Sequence, residues 1–155
     1  MRFFNRSDDD EPAVRMTFLC VENAGRSQMA AALAEREREC RELDEQVEID
    51  SAGTHPADTV HPVVVEAMAE IDIDISDRVP RLVDLEALKR MDYVVMMGCY
   101  IAEFAPGSFG GDSREWNLAN PAGQDLETVR EIRDDLSERI ADLFDEIEQE
   151  VSASV

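Results

Sequence analysis

Cys20 and Arg26 are the two residues of this sequence whose types and spacing best suit chemistry. Cys20 lies near the end of the apolar run Val14–Val21, which predicts a buried strand, and Arg26 follows after five intervening residues. Ser27 is expected to be the N-cap of a helix that continues to about residue 43. In such a strand–loop–helix unit, backbone N–H groups of the loop and of the first helical turn converge, and the helix dipole adds positive potential. The segment therefore predicts a binding loop for a tetrahedral oxyanion.

The chemistry expected of this loop is nucleophilic attack on the bound oxyanion. The guanidinium of Arg26 offers a planar fork that holds two oxygens. The same positive potential favours the thiolate form of Cys20, which is the nucleophilic form. Gly25 and Asn23 suit unusual backbone angles, and the hydroxyl of Ser27 is placed to donate to the sulfur. The predicted oxyanion-binding loop comprises Val21, Glu22, Asn23, Ala24, Gly25, Arg26 and Ser27.

The spacing of Cys20 and Arg26 is weak evidence for an oxyanion-binding loop when it is taken alone. With three cysteines and 14 arginines in 155 residues, chance places an arginine six positions after a cysteine in roughly one sequence in four. A buried strand-end cysteine beside a surface arginine therefore stays open as the structural alternative. The sequence contains neither the GxxxxGK(S/T) pattern of a nucleotide P-loop nor GxGxxG.

Composition and charge restrict the class of protein and its partners. The 155 residues are the size of one domain, and 44% of them are hydrophobic, which is enough for a folded core. A formal net charge of −21, from 36 acidic and 15 basic residues, argues against a nucleic acid or an anionic membrane as partner. Lys89 is the single lysine. Many carboxylates with almost no lysine suit concentrated salt, so we expect a protein of an extreme halophile's cytoplasm.

The three cysteines, Cys20, Cys40 and Cys99, lie far apart in the sequence. They form no CxxC pair and no His/Cys cluster, so neither a disulfide framework nor a metal site is expected. Residues 1–12 are predicted to be an acidic flexible tail, and residues 13–155 one domain. The first residues resemble neither a signal peptide nor a membrane anchor, and no apolar run approaches the ~20 residues of a transmembrane helix.

Strand and helix signals alternate along the chain, which predicts an α/β fold with a parallel sheet covered on both faces. After the first strand–loop–helix unit, the predicted strands are Val47–Ile49, Tyr93–Met97 and a weak one at Trp116–Leu118. Short helices are predicted at Pro62–Glu70 and at Asp84–Arg90. A longer helix is predicted from Val129 to Val151, where apolar residues recur at spacings of three and four. Loops are predicted at Ser51–Pro56 and over residues 100–114. Cys40 is expected on or beside the core stripe of the first helix. The apolar stripe of the last helix is expected to be core, and a dimer contact stays open as the alternative for its far end, Ile147 and Val151.

The segment Cys20–Met29 (CVENAGRSQM) closely resembles the signature of the low-molecular-weight protein tyrosine phosphatase superfamily, specifically its arsenate reductase branch. The similarity continues in DSAGTHP (50–56), EAM (66–68), IDIS (73–76), YVVMMGC (93–99), Trp116, NPAGQ (120–124) and VREIRD (129–134). It covers nearly everything from residue 15 to about 148. The resemblance implies a three-layer fold in which helices flank a four-stranded parallel sheet and the active loop follows the first strand.

The resemblance also implies roles for individual residues. Cys20 matches the nucleophile that attacks phosphorus or arsenic, and Arg26 matches the arginine that binds the anion and stabilises the trigonal-bipyramidal transition state. Asn23 and Ser27 match residues that shape the loop and hydrogen-bond the nucleophile. In the reductase branch a second thiol attacks the thiol–arsenate adduct, releases arsenite and leaves a disulfide. Cys99 matches a position where that thiol is often found, and a buried structural thiol is an equally good interpretation of it.

Two positions depart from the pattern of the family. Asn120 stands before Pro121, where members usually carry an aspartate as general acid for the leaving oxygen, and a carboxamide does not donate a proton in that way. The carboxylates that would have to substitute are Asp112, Glu115 or Asp125. Glu103 occupies the position, four residues after Cys99, where related reductases often have another cysteine. A complete three-cysteine relay is therefore not expected.

We expect a thiol-dependent arsenate reductase that holds no bound cofactor and is reduced by an external thiol, either a low-molecular-weight thiol, a thioredoxin or a glutaredoxin. Its partners would be arsenate or a phosphate-type oxyanion and a redoxin, and the chain would be a monomer or weak homodimer. The alternative is a phosphatase for phosphotyrosine or small phosphoesters, although Ala122 and Gly123 stand where that branch typically has tyrosines. A catalytically weak oxyanion-binding module is the third interpretation, because of Asn120. His55 is interpreted as a loop-bracing residue, and His61 is given no role.

Overall fold

The computed structural model describes residues 12–105 and 107–153, so the predicted tail of residues 1–12 lies outside the described residues except for Pro12. The strands are β1 (Val14–Cys20), β2 (Val47–Gly53), β3 (Tyr93–Met96) and β4 (Asp112–Glu115). They form a parallel sheet in the order β2-β1-β3-β4, which confirms the predicted four-stranded parallel sheet. Because the strands run in one direction, the carboxyl end of β1 lies between those of β2 and β3 at one edge of the sheet.

Helices cover both faces of this sheet. Those in the described ranges are α1 (Arg26–Cys40), α2 (Pro62–Ala69), α3 (Leu85–Leu88) and α4 (Leu126–Ala153), with a 3-10 turn at Ala102–Phe104. The larger apolar cluster joins β1 and β3 to α1, α2 and α4 on one face. A smaller cluster on the other face brings Leu19, Val94 and Met96 against Leu88 of α3 and Phe104 of the 3-10 turn. The predicted three-layer α/β fold is thereby confirmed.

The periodic C-terminal helix forms as the sequence predicts. Its buried residues are Val129, Ile132, Leu136, Ile140, Leu143, Phe144 and Ile147, which repeat at spacings of three and four. Ile147 is fully buried in the chain's own core, which confirms the core interpretation of the stripe and makes the dimer alternative wrong for this residue. The side chain of Val151 lies outside the described residues. None of the helices in the described ranges is long and apolar enough to span a membrane.

The fourth strand lies four residues earlier than predicted. β4 is the polar segment Asp112–Glu115, which pairs with β3 from Tyr93 to Met96, and Trp116–Leu118 is not a strand. As the edge strand, β4 leaves Asp112 and Glu115 exposed and buries none of its residues fully, so it carries no apolar signal. Trp116 lies directly beyond β4 and packs its ring against Phe18 at a centroid distance of 6.1 Å. The apolar residue that suggested a strand is therefore a core contact at the strand's end.

Two boundaries near the site also differ from the predictions. β2 continues through Ser51 to Gly53, because it pairs with β1 in parallel register as far as Cys20, so the predicted loop begins later than Ser51. The first helix ends at Cys40, with Glu42 at φ 57° beyond it, rather than near residue 43. Cys40 is exposed, so its prediction on the core stripe is wrong. Only the first nine residues of α1 are buried, and its last turn extends into solvent.

Candidate active site

The loop between β1 and α1 closes on Gly25, and this glycine is the N-cap of α1 in place of the predicted Ser27. A Cβ built on Gly25 would lie 2.6 Å from Pro121 Cγ and 3.5 Å from His61 Cδ2. The first of these distances is shorter than any real contact, so a side chain at this position would displace the Pro121 segment. Tertiary packing therefore requires a glycine at the cap, and Ser27 lies inside the helix with its hydroxyl free for another use.

That hydroxyl lies against the thiol of Cys20. Ser27 Oγ is 2.9 Å from Cys20 Sγ, and the backbone N–H of Asn23 donates to the same sulfur at 3.2 Å. Asn23 Nδ2 donates to Ser27 Oγ at 2.7 Å, which occupies a lone pair of the hydroxyl and leaves its proton free to point at the sulfur. Two donors aimed at one sulfur stabilise a thiolate there.

Asn23 holds the loop in this shape. Its backbone adopts φ 51°, in the left-handed region that asparagine tolerates, and its side chain is fully buried. Besides Ser27, its Nδ2 donates to Ser51 Oγ at 3.2 Å, while its Oδ1 accepts from Gln28 Nε2 at 3.1 Å and from Arg81 N at 2.9 Å. Sequence reasoning missed the last three partners, because they come from α1, β2 and the segment before α3.

Arg26 is held by the ends of two other segments. Its side chain Nη1 donates to the Leu118 carbonyl at 3.1 Å, and the residue is only 8% exposed. The guanidinium packs against the backbone of Gly98, which adopts φ 77°. A buried guanidinium with donors to spare beside a helix N-terminus provides a strong binding site for an oxyanion.

These residues enclose a pocket of about 280 Å³. Its lining consists of Cys20, Val21, Glu22, Gly25, Arg26, His61, Asn120 and Ala122. Of the predicted loop, Asn23, Ala24 and Ser27 lie behind this lining and are fully buried. A larger groove of about 600 Å³ beside α1 is lined by acidic, arginine and aliphatic side chains without a cysteine or histidine, so of these two cavities the smaller one has a thiol and an imidazole in its wall.

Cys99 lies near the Cys20 loop but does not line this pocket. It follows β3, the strand adjacent to β1, and Met97 N donates to the Leu19 carbonyl at 2.8 Å just before it. Cys99 is half-buried against the smaller apolar cluster. Burial, together with the neighbouring Cys20, raises the pKa of Cys99 to about 11. The Cys99 thiol is therefore protonated at neutral pH.

The carboxylates named as substitutes for the missing aspartate do not line the pocket. Asp112 begins β4, opposite Tyr93 at the far end of the sheet, and its carboxylate binds Arg114. Asp125 accepts from the backbone N–H of Thr128, and its hydrogen bonds to Thr128 lower its pKa below the ordinary value. Glu115 is exposed at the end of β4. Asn120 does line the pocket, and its Oδ1 accepts from Ala122 N at 3.0 Å.

His61 and Glu22 form a contacting pair at this pocket that sequence reasoning did not identify. His61 Nε2 lies 3.1 Å from Glu22 Oε1. The segment before α2 runs along the Cys20 loop, with backbone N–H groups of His55, Ala57 and His61 donating to the carbonyls of Val21, Glu22 and Ala24. Pro62 marks the start of α2 in the sequence, but no local signal shows that this start lies on the Cys20 loop.

Comparisons with known proteins find relatives that are named as phosphatases and arsenate reductases. A sequence profile described as "Low molecular weight phosphotyrosine protein phosphatase" matches residues 15–153. A protein of the halophile Halobacterium salinarum named "Putative arsenate reductase" is 51% identical over 136 residues, which cover 88% of this chain and 94% of that protein.

In the described residues, no group of three or more His, Cys, Asp or Glu side chains is arranged to hold a metal ion.

Two solved structures share the fold. The thioredoxin-dependent arsenate reductase of Corynebacterium glutamicum has a TM-score of 0.70 and 31% identity; the match covers 93% of this chain and 66% of that chain. An arsenate reductase in its phosphate-binding state has a TM-score of 0.72 and 27% identity, over 86% of this chain and 98% of that chain.

Proposed function

The chain belongs to the low molecular weight phosphotyrosine protein phosphatase family, and within that family we propose that it is a thiol-dependent arsenate reductase. The observation that carries the proposal is the Cys20 thiol on the wall of the pocket, beside the buried Arg26 and in contact with Ser27 Oγ and Asn23 N. The similarity to reductases of Halobacterium salinarum and Corynebacterium glutamicum favours arsenate as the oxyanion.

In the proposed first step, the Cys20 thiolate attacks the arsenic of the singly charged dihydrogen arsenate ion. A sulfur–arsenic bond forms and an arsenic–oxygen bond breaks, and the departing hydroxyl takes up one proton and leaves as water. Arsenic remains As(V) in the resulting thiol–arsenate adduct on Cys20, which keeps one proton and one negative charge on its three oxygens. Arg26 and the N–H groups of the loop bind the oxygens and stabilise the charge of the transition state.

In the second step, a thiol attacks Cys20 Sγ. A disulfide forms, the sulfur–arsenic bond breaks, and its electron pair stays on arsenic, which leaves as As(III) in neutral arsenous acid after uptake of the thiol proton and one solvent proton. Cys99 is the internal candidate for this thiol, and an external low-molecular-weight thiol, thioredoxin or glutaredoxin is the other. Since the pKa of Cys99 is raised to about 11, the external route is favoured at neutral pH.

Location and solution conditions belong to the same proposal. We infer a cytoplasmic protein adapted to concentrated salt, on the basis of the net charge of −21 and the similar protein from Halobacterium salinarum. Screening of the carboxylates by salt reduces the repulsion that opposes folding. Activity is therefore best measured in multimolar KCl.

Phosphoester hydrolysis is the second candidate function. The same Cys20 and Arg26 support a phosphocysteine intermediate. The family is named for phosphotyrosine protein phosphatases, which favours phosphoester hydrolysis. Ala122 on the pocket wall and Asn120 in place of an aspartate weigh against phosphotyrosine, because neither an aromatic wall nor a carboxylic acid is present at these positions. A catalytically weak oxyanion-binding module is the third candidate, and it predicts tight binding with negligible turnover.

Arsenite release from arsenate, with a thiol donor in multimolar KCl, tests the proposal. Wild type, Cys99→Ser and the control Cys40→Ser are compared, since Cys40 is exposed and lies in the last turn of α1. Arsenite from all three proteins at similar rates supports a reductase resolved by the external thiol, and a fall confined to Cys99→Ser supports Cys99 as the internal resolving thiol. Release of phosphate from phosphoesters without any arsenite would replace the proposal with the phosphatase.

A further inference from the structure

We propose that His61, oriented by Glu22, donates the proton to the oxygen that leaves arsenic, in place of the carboxylic acid that Asn120 has removed. The inference deepens the proposed function and rests on it. It arises from the contacting pair at the pocket, His61 Nε2 and Glu22 Oε1 at 3.1 Å.

The pair lies where a departing oxygen would be. His61, Asn120 and Cys20 line the same pocket, and the ring of His61 rests on the Cys20 loop, with its Cδ2 3.5 Å from the position of a Cβ on Gly25. The His61 side chain is 21% exposed and that of Glu22 is 45% exposed, so both stand at the mouth of the pocket rather than behind its wall. A nucleophile attacks opposite the leaving group, so a donor at the mouth faces the oxygen that Cys20 displaces.

The composition of the lining leaves few candidates for the proton donor. Cys20, Glu22, Arg26 and His61 are the titratable or charged residues among the eight that line the pocket. Cys20 is the nucleophile, and an arginine does not release its proton in proteins. Imidazole is the side chain that ordinarily exchanges protons near neutral pH, and a carboxylate hydrogen-bonded to it sets its orientation. Glu22 is therefore the positioning residue and His61 the donor.

The proton balance of the first step is complete with this donor. Protonated His61 keeps its Nε2–H on Glu22 Oε1, which holds the ring, and carries its second proton on Nδ1. When dihydrogen arsenate occupies the pocket, the Nδ1 proton passes to the departing hydroxyl, which gives water, a neutral imidazole and the singly charged adduct on Cys20. Solvent then reprotonates His61, which the partial exposure of its side chain permits.

The test uses the full chain with His61→Asn and the matched control His55→Asn. His61 is the N-cap of α2, a position that asparagine favours, so the variant is expected to fold. His55 is an exposed histidine in the same segment. We expect His61→Asn to lower kcat for arsenite formation by about 10²-fold, and Asn120→Asp in the His61→Asn background to recover most of that loss. His55→Asn is expected to leave the rate unchanged.

A leaving-group comparison separates proton donation from a structural role. In the first turnover with aryl phosphates, His61→Asn is expected to slow phenol release from phenyl phosphate about 10²-fold, but 4-nitrophenol release less than about threefold, because nitrophenolate leaves without a proton. Equal losses on both esters, or no loss on either, would overturn the role of His61. Arsenite formed by His61→Asn at the wild-type rate would also overturn it while leaving the reductase intact.

A binding measurement tests, without turnover, whether a bound oxyanion contacts His61. Inorganic phosphate added to the Cys20→Ser chain is expected to shift the imidazole NMR signals of His61 and not those of His55. Phosphate binding, seen at the Arg26 guanidinium, without a shift at His61 would overturn the proposal. If the wild type forms no arsenite, the proposed function fails, and the phenol comparison still decides the role of His61.

Discussion

The guanidinium of Arg26 lies directly against Gly98, with its Cζ 2.8 Å from the position that a Cβ on Gly98 would occupy. Arg26 follows β1 and Gly98 follows β3, so the contact joins the carboxyl ends of two neighbouring strands. Gly98 leaves room for the arginine and holds φ 77°, a conformation that residues with a side chain rarely adopt. The position of Arg26, the proposed oxyanion-binding group, therefore depends on a glycine far away in sequence.

The first prediction follows from that contact. Gly98→Ala is expected to push the guanidinium out of place and to weaken binding of arsenate and phosphate by about 10- to 100-fold, the range for a lost charge-assisted hydrogen bond. Isothermal titration calorimetry with phosphate measures the affinity. Gly107→Ala is the matched control, because Gly107 has φ 89° but nothing within 4 Å of a Cβ. Equal affinities of the two variants would mean that Gly98 does not position Arg26.

A second prediction concerns the hydroxyl that touches the Cys20 sulfur. Ser27→Ala removes the Oγ at 2.9 Å from Cys20 Sγ, so the thiolate loses a donor and kcat/KM is expected to fall by about 10- to 100-fold. Alkylation of Cys20 by iodoacetamide at neutral pH should slow in parallel. Ser76→Ala, an exposed serine bonded to Asp74, is the control and should change neither rate. An unchanged alkylation rate in Ser27→Ala would show that the hydroxyl does not support the thiolate.

The raised pKa of Cys99 gives a third prediction. Burial holds this pKa near 11, so the thiolate fraction of Cys99 rises about tenfold with each pH unit until about 11. At pH 8, alkylation of Cys99 should be about 100-fold slower than that of an ordinary exposed thiol. Peptide mapping by mass spectrometry compares the alkylation rate of Cys99 with that of the exposed Cys40. Modification of Cys99 as fast as Cys40 would remove the reason for preferring an external thiol.

A fourth prediction concerns the ion pairs that join α2 to α4. Hydrogen bonds from Arg130 and then Arg133 lower the pKa of Glu70 to about 2 from an ordinary 4.5. A carboxylate with a depressed pKa stabilises the fold above its unfolded pKa, and this stabilisation is lost as the pH falls from about 4.5 to about 2.

Glu70→Gln should therefore unfold at lower urea than wild type near pH 6, and the difference should vanish near pH 2. The effect is modest, because the pair is exposed and salt screens it. Glu138→Gln, exposed on the same helix α4, is the control. A difference between Glu70→Gln and wild type that persists at pH 2 would contradict the assignment.

The Cys20 loop was accessible to sequence reasoning because its geometry is local. A strand end, a short loop and a helix start determine where the N–H groups point, whatever the rest of the chain does. Ser27 shows the limit of that reasoning, since the helix begins before it, at a Gly25 whose Cα lies against Pro121, a residue far away in sequence. The polar edge strand Asp112–Glu115 was missed because neither of its faces is fully buried.

His61 could not be found from the sequence for a similar reason. It lies 39 residues from Glu22, and the two meet only because the segment after β2 returns along the Cys20 loop. Single histidines carry no spacing signal, and the start of α2 at Pro62 says nothing about its neighbour in space. Contacts of this kind depend on the packing of complete elements.

The most direct test of the account is arsenite formation from arsenate by wild type and Cys20→Ser in multimolar KCl with an external thiol. Wild type is expected to release arsenite continuously, and Cys20→Ser, which keeps the pocket and binds the oxyanion, none above the thiol-only background. Equal arsenite release from both proteins would contradict Cys20 as the nucleophile. The absence of arsenite from wild type with every thiol donor would contradict the reductase itself.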